Sequence, residues 1–144
     1  IKKKKINIIK DKYLKKELIR PTKIYTNEVL KITKKNLIKG CANITGGGIS
    51  DNLKRILPKN TNAVINLKHI KCNKIFKWIK SHGIADNEML KTFNCGVGFC
   101  LIAKKTKIKK IKKYFSKKFQ PYIIGKITSG KNKIIFNEKI NWNK

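Results

Sequence analysis

Thr45 is followed by three consecutive glycines, Gly46, Gly47 and Gly48, inside the stretch Cys-Ala-Asn-Ile-Thr-Gly-Gly-Gly-Ile-Ser-Asp-Asn-Leu-Lys-Arg-Ile-Leu that runs from Cys41 to Leu57. A short apolar run, Cys41 to Ile44, precedes the triplet. Apolar residues then recur at Ile49, Leu53, Ile56 and Leu57, which is helical spacing, so the pattern predicts strand, glycine turn, helix. Adjacent glycines are costly in backbone entropy and mark places where a side chain would block a positive-φ turn or the close approach of a ligand. Bare amides at the start of a helix, with the positive end of its dipole, suit a phosphate. A tight turn that binds nothing fits the triplet equally well.

A second glycine-bearing stretch is Cys95 to Ala103, the most strongly apolar run in the chain. It reads as a central strand with Gly96 and Gly98 on one face and Val97, Phe99 and Leu101 on the other. Glycines at alternating positions strip one side of a strand, so a helix, another strand or a ligand must lie close against it. Asn94, just before this run, carries an amide able to donate or accept. Other chemistry is not signalled. His69 and His82 have no nearby nucleophile, the only close acids are Asp86 and Glu88, and Cys41, Cys72, Cys95 and Cys100 form no Cys-x-x-Cys pair. No triad, zinc site or disulfide framework emerges, and the cysteines read as buried thiols of a reducing cytosol.

The formal charge is +30, from 37 basic and 7 acidic residues among 144. Such a charge ordinarily points to nucleic acid or an anionic membrane surface. Only Arg20 and Arg55 are arginine, however, whereas phosphate readers favour arginine's fixed donor fork. The excess is lysine spread along the chain, with concentrations at Lys2 to Lys5 and Lys104 to Lys118, and it reads as a solvated surface. No apolar run has the length of a membrane span and no signal peptide is evident, so a cytoplasmic protein is expected.

These motifs need a scaffold. Ile1 to Lys16 is lysine-rich without a firm period and reads as the tail of a preceding segment. Pro21 sets an extended approach to a helix that begins near Thr26 or Asn27 and ends at Lys39-Gly40. Beyond the glycine turn, Pro58 stops the next helix. Asn62 to Leu67 alternates as a half-buried strand, and Cys72, Ile75, Phe76 and Ile79 give a helix closed by Gly83. Asp86 to Phe93 gives a short helical segment. Ile108, Ile111, Phe115 and Phe119 predict a surface helix up to Pro121, and Tyr122 to Thr128 with Lys133 to Phe136 a closing hairpin around Ser129 to Asn132. The order favours an α+β domain whose single sheet carries helices.

Four phrases together carry a resemblance: Pro21-Thr22-Lys23-Ile24-Tyr25, Ile44-Thr45-Gly46-Gly47-Gly48, Asp51-Asn52-Leu53-Lys54-Arg55-Ile56-Leu57-Pro58, and Glu88-Met89-Leu90-Lys91-Thr92-Phe93-Asn94-Cys95-Gly96-Val97-Gly98. In order and spacing they resemble the C-terminal half of the phosphoribosylformylglycinamidine cyclo-ligase (AIR synthetase) family, over about Leu18 to Phe136. The resemblance implies a three-layer α/β/α domain with a mixed sheet over 18–144, with 1–17 as a lysine-rich remnant of an interdomain segment. It implies a ligase of purine synthesis that uses ATP to phosphorylate the formyl amide oxygen of formylglycinamidine ribonucleotide. The amidine nitrogen then closes the imidazole ring of aminoimidazole ribonucleotide.

Family enzymes are homodimers, and ATP and Mg2+ are expected mainly at an N-terminal ATP-binding domain that this chain does not include. This chain alone is expected to be inactive. By the resemblance, Thr45, Gly46, Gly47 and Gly48 line the groove between the two domains and hold the phosphate-bearing substrate, with Asn94, Gly96 and Gly98 nearby. The family commonly has histidine where this chain has Asn43, a possible polar contact that cannot shuttle a proton near neutral pH, so no catalytic residue is assigned. Two other readings stand beside this one. A basic nucleic-acid-binding module would show affinity falling steeply with salt. Another member of the same ATP-dependent superfamily would keep the fold and change the substrate.

Overall fold

The computed structural model describes residues 11–142. The first ten residues of the lysine-rich segment therefore lie outside the described residues. Helix α1, Lys12–Leu18, is a departure from expectation, since no apolar period announces it. Its signal is a cap: Asp11 Oδ1 accepts from the amides of Tyr13 (2.9 Å) and Leu14 (3.0 Å), and the short helix that follows buries Leu14.

Helix α2, Thr26–Lys34, starts where the Pro21 approach predicts but stops short of Lys39-Gly40. Asn36 adopts φ 51°, the left-handed conformation that ends helices, and Leu37 N–H reaches back to the Ile32 carbonyl at 3.0 Å. The chain then forms β1 (Gly40–Asn43), the glycine turn and α3 (Gly48–Lys54). Next come β2 (Thr61–Asn66), α4 (Lys74–Lys80), α5 (Asp86–Thr92) and β3 (Phe99–Ile102). The order closes with α6 (Ile108–Lys112), β4 (Gly125–Ser129) and β5 (Ile134–Asn137).

Helices and strands are mixed, as expected, but the single sheet is not found among the described residues. β1 pairs antiparallel with β3 alone, placing Asn43 opposite Phe99. β2 lies between β4, antiparallel, and β5, parallel, so this second sheet is mixed. The expected closing hairpin is therefore corrected: β4 and β5 flank β2 and do not pair with each other. Asn62 explains why, because its Oδ1 accepts from the amides of Lys131 and Lys133, both at 2.9 Å. The Gly130 turn is thereby drawn over the end of β2, and the strands on either side of the turn fall to its two edges.

Two further expectations are shortened. The run Cys95 to Ala103 is strand only from Phe99, because Cys95 (φ 48°) and Gly96 (φ 99°) bend the backbone into a turn. It is also not central, having β1 as its one partner strand. The helix expected up to Pro121 breaks into 3-10 turns at Lys105–Lys107 and Lys117–Phe119 on either side of α6. Lysine at most of its outward positions supplies no cap and much mutual repulsion, so only the part anchored by buried Ile111 stays α-helical.

The main core joins Ile44, Ile49 and Leu53 to Ala63, Ile65, Met89 and Val97. Fully burying a side chain of the Ile or Met class contributes about 1.5–3 kcal/mol, so this cluster holds the second sheet to the glycine turn. Ile32, Leu37 and Ile111 form a satellite core beneath α2 and α6. No helix among the described residues is long and apolar enough to cross a membrane.

Three of the thiols belong to this interior. Burial pushes Cys72 up to about 11 and Cys95 and Cys100 up to about 12. A thiol raised on folding contributes stability that is present below the ordinary thiol range and is lost as pH rises toward these values. At pH 8 the thiolate fraction of Cys95 and Cys100 falls about a thousandfold below that of an exposed cysteine. Iodoacetamide should thus leave both unmodified in the folded chain while alkylating them in urea, with the folded-state rate rising about tenfold per pH unit. Peptide mass spectrometry after a timed quench reads this directly, and equal alkylation in both states would contradict the burial.

Candidate functional site

The glycine corner begins where β1 ends. Asn43 is exposed and Ile44 is buried, and Ile44 N–H donates to the Gly98 carbonyl at 3.0 Å. That bond is the direct link between the two glycine motifs. Thr45 then turns the chain, its carbonyl accepting from Gly48 N–H at 3.1 Å, and Gly47 (φ 90°) and Gly48 (φ 59°) complete the reversal into α3.

The three glycines do different things. A side chain at Gly46 would meet nothing within 4 Å, and Gly46 and Thr45 are exposed. At Gly47 a Cβ would come 2.8 Å from Asp51 Oδ2. At Gly48 it would overlap the Leu90 carbonyl oxygen and lie 3.2 Å from that of Phe93. Gly48 is thus required for the packing of α3 on α5, while Thr45 and Gly46 are open to solvent and Gly47 is half-buried beside Asp51.

The second motif is held mainly by its own chain. Asn94 Oδ1 accepts from Gly96 N–H at 2.9 Å and the Asn94 carbonyl accepts from Val97 N–H at 2.8 Å, so the side-chain oxygen is engaged in shaping the turn. A Cβ at Gly96 would lie 2.6 Å from the Lys71 carbonyl oxygen, and one at Gly98 would overlap the Tyr25 hydroxyl. Close packing, the first of the explanations the sequence offers for these glycines, accounts for both. The structure therefore brings all the expected residues to one neighbourhood but divides them. Asn43, Thr45 and Gly46 are exposed, Gly47 is half-buried at the edge, and Gly48, Asn94, Gly96 and Gly98 hold the shape, the last two also lining the cleft between the sheets.

Gly96, Val97 and Gly98 line a cleft of about 510 Å³ between the two sheets, and Leu53 of α3 also reaches it. Its apolar wall includes Ile65, Phe99 and Ile127, and Lys23 and Lys71 stand at its rim. Lys23 Nζ lies 3.5 Å from the Phe119 ring centroid and 5.1 Å from that of Tyr25, and Lys71 Nζ lies 4.9 Å from that of Tyr122. Burial pushes the Tyr25 and Tyr122 hydroxyls above their ordinary range. None of the residues from Asn43 to Gly48 lines this cleft.

Two residues escaped notice as site-forming. Tyr25 belongs to a recognised phrase, but only the fold shows its hydroxyl seated under Gly98. Asn52 likewise sits in a recognised phrase, where helical spacing alone would place it as one more polar residue. His82 Nδ1 lies 2.8 Å from the Trp78 carbonyl and its ring packs edge-on against Trp78, a structural setting. Lys80 donates to Asp86 at 2.7 Å and holds that carboxyl below its usual range. No group of three or more His, Cys, Asp or Glu side chains among the described residues is placed to hold a metal ion.

Comparison with known proteins agrees with the motifs. The family model described as AIR synthase related protein, C-terminal domain, matches residues 2–137. The phosphoribosylformylglycinamidine cyclo-ligase of Carboxydothermus hydrogenoformans is 45% identical over 129 residues, covering 88% of this chain and 37% of that protein. Its counterpart in Thermodesulfovibrio yellowstonii is 41% identical over 119 residues, covering 81% and 35%. The trifunctional purine biosynthetic protein adenosine-3 of Chironomus tentans is 43% identical over 90 residues, which is 62% of this chain and 7% of that one. The chain thus spans little more than a third of the two cyclo-ligases it matches.

The division among the glycines is open to measurement by urea unfolding. Gly48→Ala should destabilise the chain by about 2 kcal/mol or more, since it sets a Cβ against backbone at positive φ. Gly46→Ala should stay within about 0.5 kcal/mol of wild type. Similar losses for both would mean that the corner is packed throughout.

Proposed function

The chain belongs to the family of AIR synthase related proteins, matching their C-terminal domain, and we propose on that footing that it is the substrate-holding C-terminal lobe of a phosphoribosylformylglycinamidine cyclo-ligase. In this reading 18–144 form the domain, with the layered α/β/α arrangement of the family, and 1–17 are the end of an interdomain segment. The lobe works in the cytoplasm against an N-terminal ATP-binding domain, in an enzyme that is a homodimer.

Substrate is held at the lip formed by Thr45, Gly46 and Gly47. The observation that carries this is the combination of an open Gly46 with the 3.0 Å bond between Ile44 and Gly98, which couples the lip to the Asn94 to Gly98 turn. Backbone amides and the Thr45 hydroxyl are suited to the phosphate of formylglycinamidine ribonucleotide, because they offer donors without a competing side chain. Asp51, the acid in the first turn of α3, lies against Gly47 and shapes which side of the lip an anion can approach. Asn43, exposed at the end of β1, can hydrogen-bond the substrate but cannot act as an acid or base near neutral pH. Gly48, Asn94, Gly96 and Gly98 contribute by fixing the backbone.

The described residues do not fit Mg2+, for want of converging ligands, so ATP and Mg2+ belong in this proposal to the other domain. What this lobe supplies is position: it presents the formyl amide and the amidine of one substrate molecule to the facing domain and excludes water from the closed groove.

Reconstitution tests the proposal. Mixing this chain with a separately produced N-terminal ATP-binding domain of a family enzyme should restore phosphate release that depends on both ATP and formylglycinamidine ribonucleotide. Neither part alone should release phosphate. Absence of activity with both parts folded and associated would overturn the reading.

A further inference from the structure

Asn52 is 6% exposed and is the buried polar side chain among the described residues. It lies on α3 between Ile49 and Leu53, which are 1% and 3% exposed, and a carboxamide in such a setting is unfavourable unless its donors are used. Its Nδ2 donates to the Gly48 carbonyl at 2.7 Å and to the Gly46 carbonyl at 3.2 Å. The first bond reaches back one turn within the helix, as many asparagines can. The second spans six residues and fixes a peptide plane that lies outside the helix.

That plane joins Gly46 to Gly47. In a trans peptide the carbonyl and the following N–H point in opposite directions, so drawing the Gly46 oxygen inward to Asn52 turns the Gly47 N–H outward. Beside this plane the surface is open at Gly46, where a side chain would meet nothing within 4 Å, and is bounded at Gly47 by Asp51, whose Oδ2 would lie 2.8 Å from a Cβ there. A peptide between two glycines has little intrinsic preference for one orientation, because glycine accepts both signs of φ. The rest of the corner is fixed by other bonds, from Ile44 to Gly98 and from Gly48 to Thr45. The Gly46–Gly47 plane is the part whose direction rests on Asn52.

We propose that Asn52 is a positioning residue for phosphate-ester binding: its buried carboxamide holds the Gly46–Gly47 peptide with the N–H facing the ester, and prevents the reversal that would present a carbonyl oxygen instead. This rests on the reading of the Thr45 to Gly47 lip as the phosphate-holding edge. Asn52 does not touch substrate. It acts through the backbone it fixes, and its loss affects binding beyond any loss of stability.

The test uses this chain, labelled with 15N and titrated with ribose 5-phosphate while backbone amide resonances are followed by NMR. Wild type should show a saturable shift of the Gly47 amide. Asn52→Asp keeps the size of the side chain but sets an oxygen against two carbonyl oxygens, and it should weaken binding by about tenfold or more. Ile49→Val, a packing control that lowers stability without touching the plane, should bind as wild type does. Equal affinity of wild type and Asn52→Asp, within twofold, would overturn the role of Asn52 while leaving the phosphate site standing. No saturable shift at Gly47 in wild type would overturn the phosphate reading itself, and this inference with it. Should Asn52→Asp not fold, wild type alone still decides: the Asn52 carboxamide protons should exchange with solvent at least about tenfold more slowly than those of exposed asparagines. Exchange at the exposed rate would overturn the proposal.

Discussion

The neighbourhood of the glycine corner depends on how closely α3 can approach α5. Gly48 stands against the Leu90 carbonyl with no space for a methyl group, and that contact lets Ile49 and Leu53 share one core with Met89 and Leu90. The same helix α5 leads into the Asn94 turn, which delivers Gly98 to Ile44. One backbone-to-backbone approach therefore sets the position of both glycine motifs. Elsewhere in the corner, polar side chains act on the backbone. Asn52, Asn94 and Tyr25 each fix or abut a peptide unit, and the outer edge is left as bare main chain.

The same economy of polar side chains extends through the rest of the domain. Asn62 gathers the Gly130 turn through two amides, Asn132 Nδ2 donates to the Leu57 carbonyl at 2.8 Å, and Asn66 caps the turn that follows β2. Short carboxamides do this well because they reproduce the hydrogen-bonding groups of a peptide unit. The lysines do something else. Lys23 and Lys71 rest on aromatic rings at the rim of the inter-sheet cleft, and Lys80 reaches both Asp86 and the Ile84 carbonyl. A chain with 37 basic and 7 acidic residues has few carboxylates to offer, so ring faces and carbonyl oxygens take their place.

What could be read from the sequence was local. The strand, glycine turn and helix at Cys41 to Leu57 are found almost as spaced, because apolar periodicity and a glycine triplet act over neighbouring residues. The recognised phrases led to the right family because they specify how backbone and side chain meet at the corner. Pairing across the chain left no such mark. That β2 takes β5 as a parallel neighbour, and that β4 and β5 lie apart, depends on the Asn62 carboxamide reaching residues about seventy positions away. Gly96 looked like a strand residue because alternation with Val97 and Gly98 has the period of a strand, whereas its positive φ and the Asn94 oxygen make it part of a turn. Asn52 was invisible as anything special, since its significance lies in which carbonyls happen to come within reach.

The placement of β2 between β4 and β5 has a consequence for biosynthesis. Ala63 and Ile65 emerge from the ribosome long before Ile134 and Phe136, their partners across the parallel ladder. A nascent chain carrying only the glycine corner and β2 has neither sheet formed, because β3, β4 and β5 all follow, and β1 and β2 expose strand hydrogen-bonding groups to any neighbour. Long-range pairing of this kind is slow to form and invites association while it waits. Among the described strands β5 is the last to be translated, and until it arrives one edge of β2 stays open to unintended pairing.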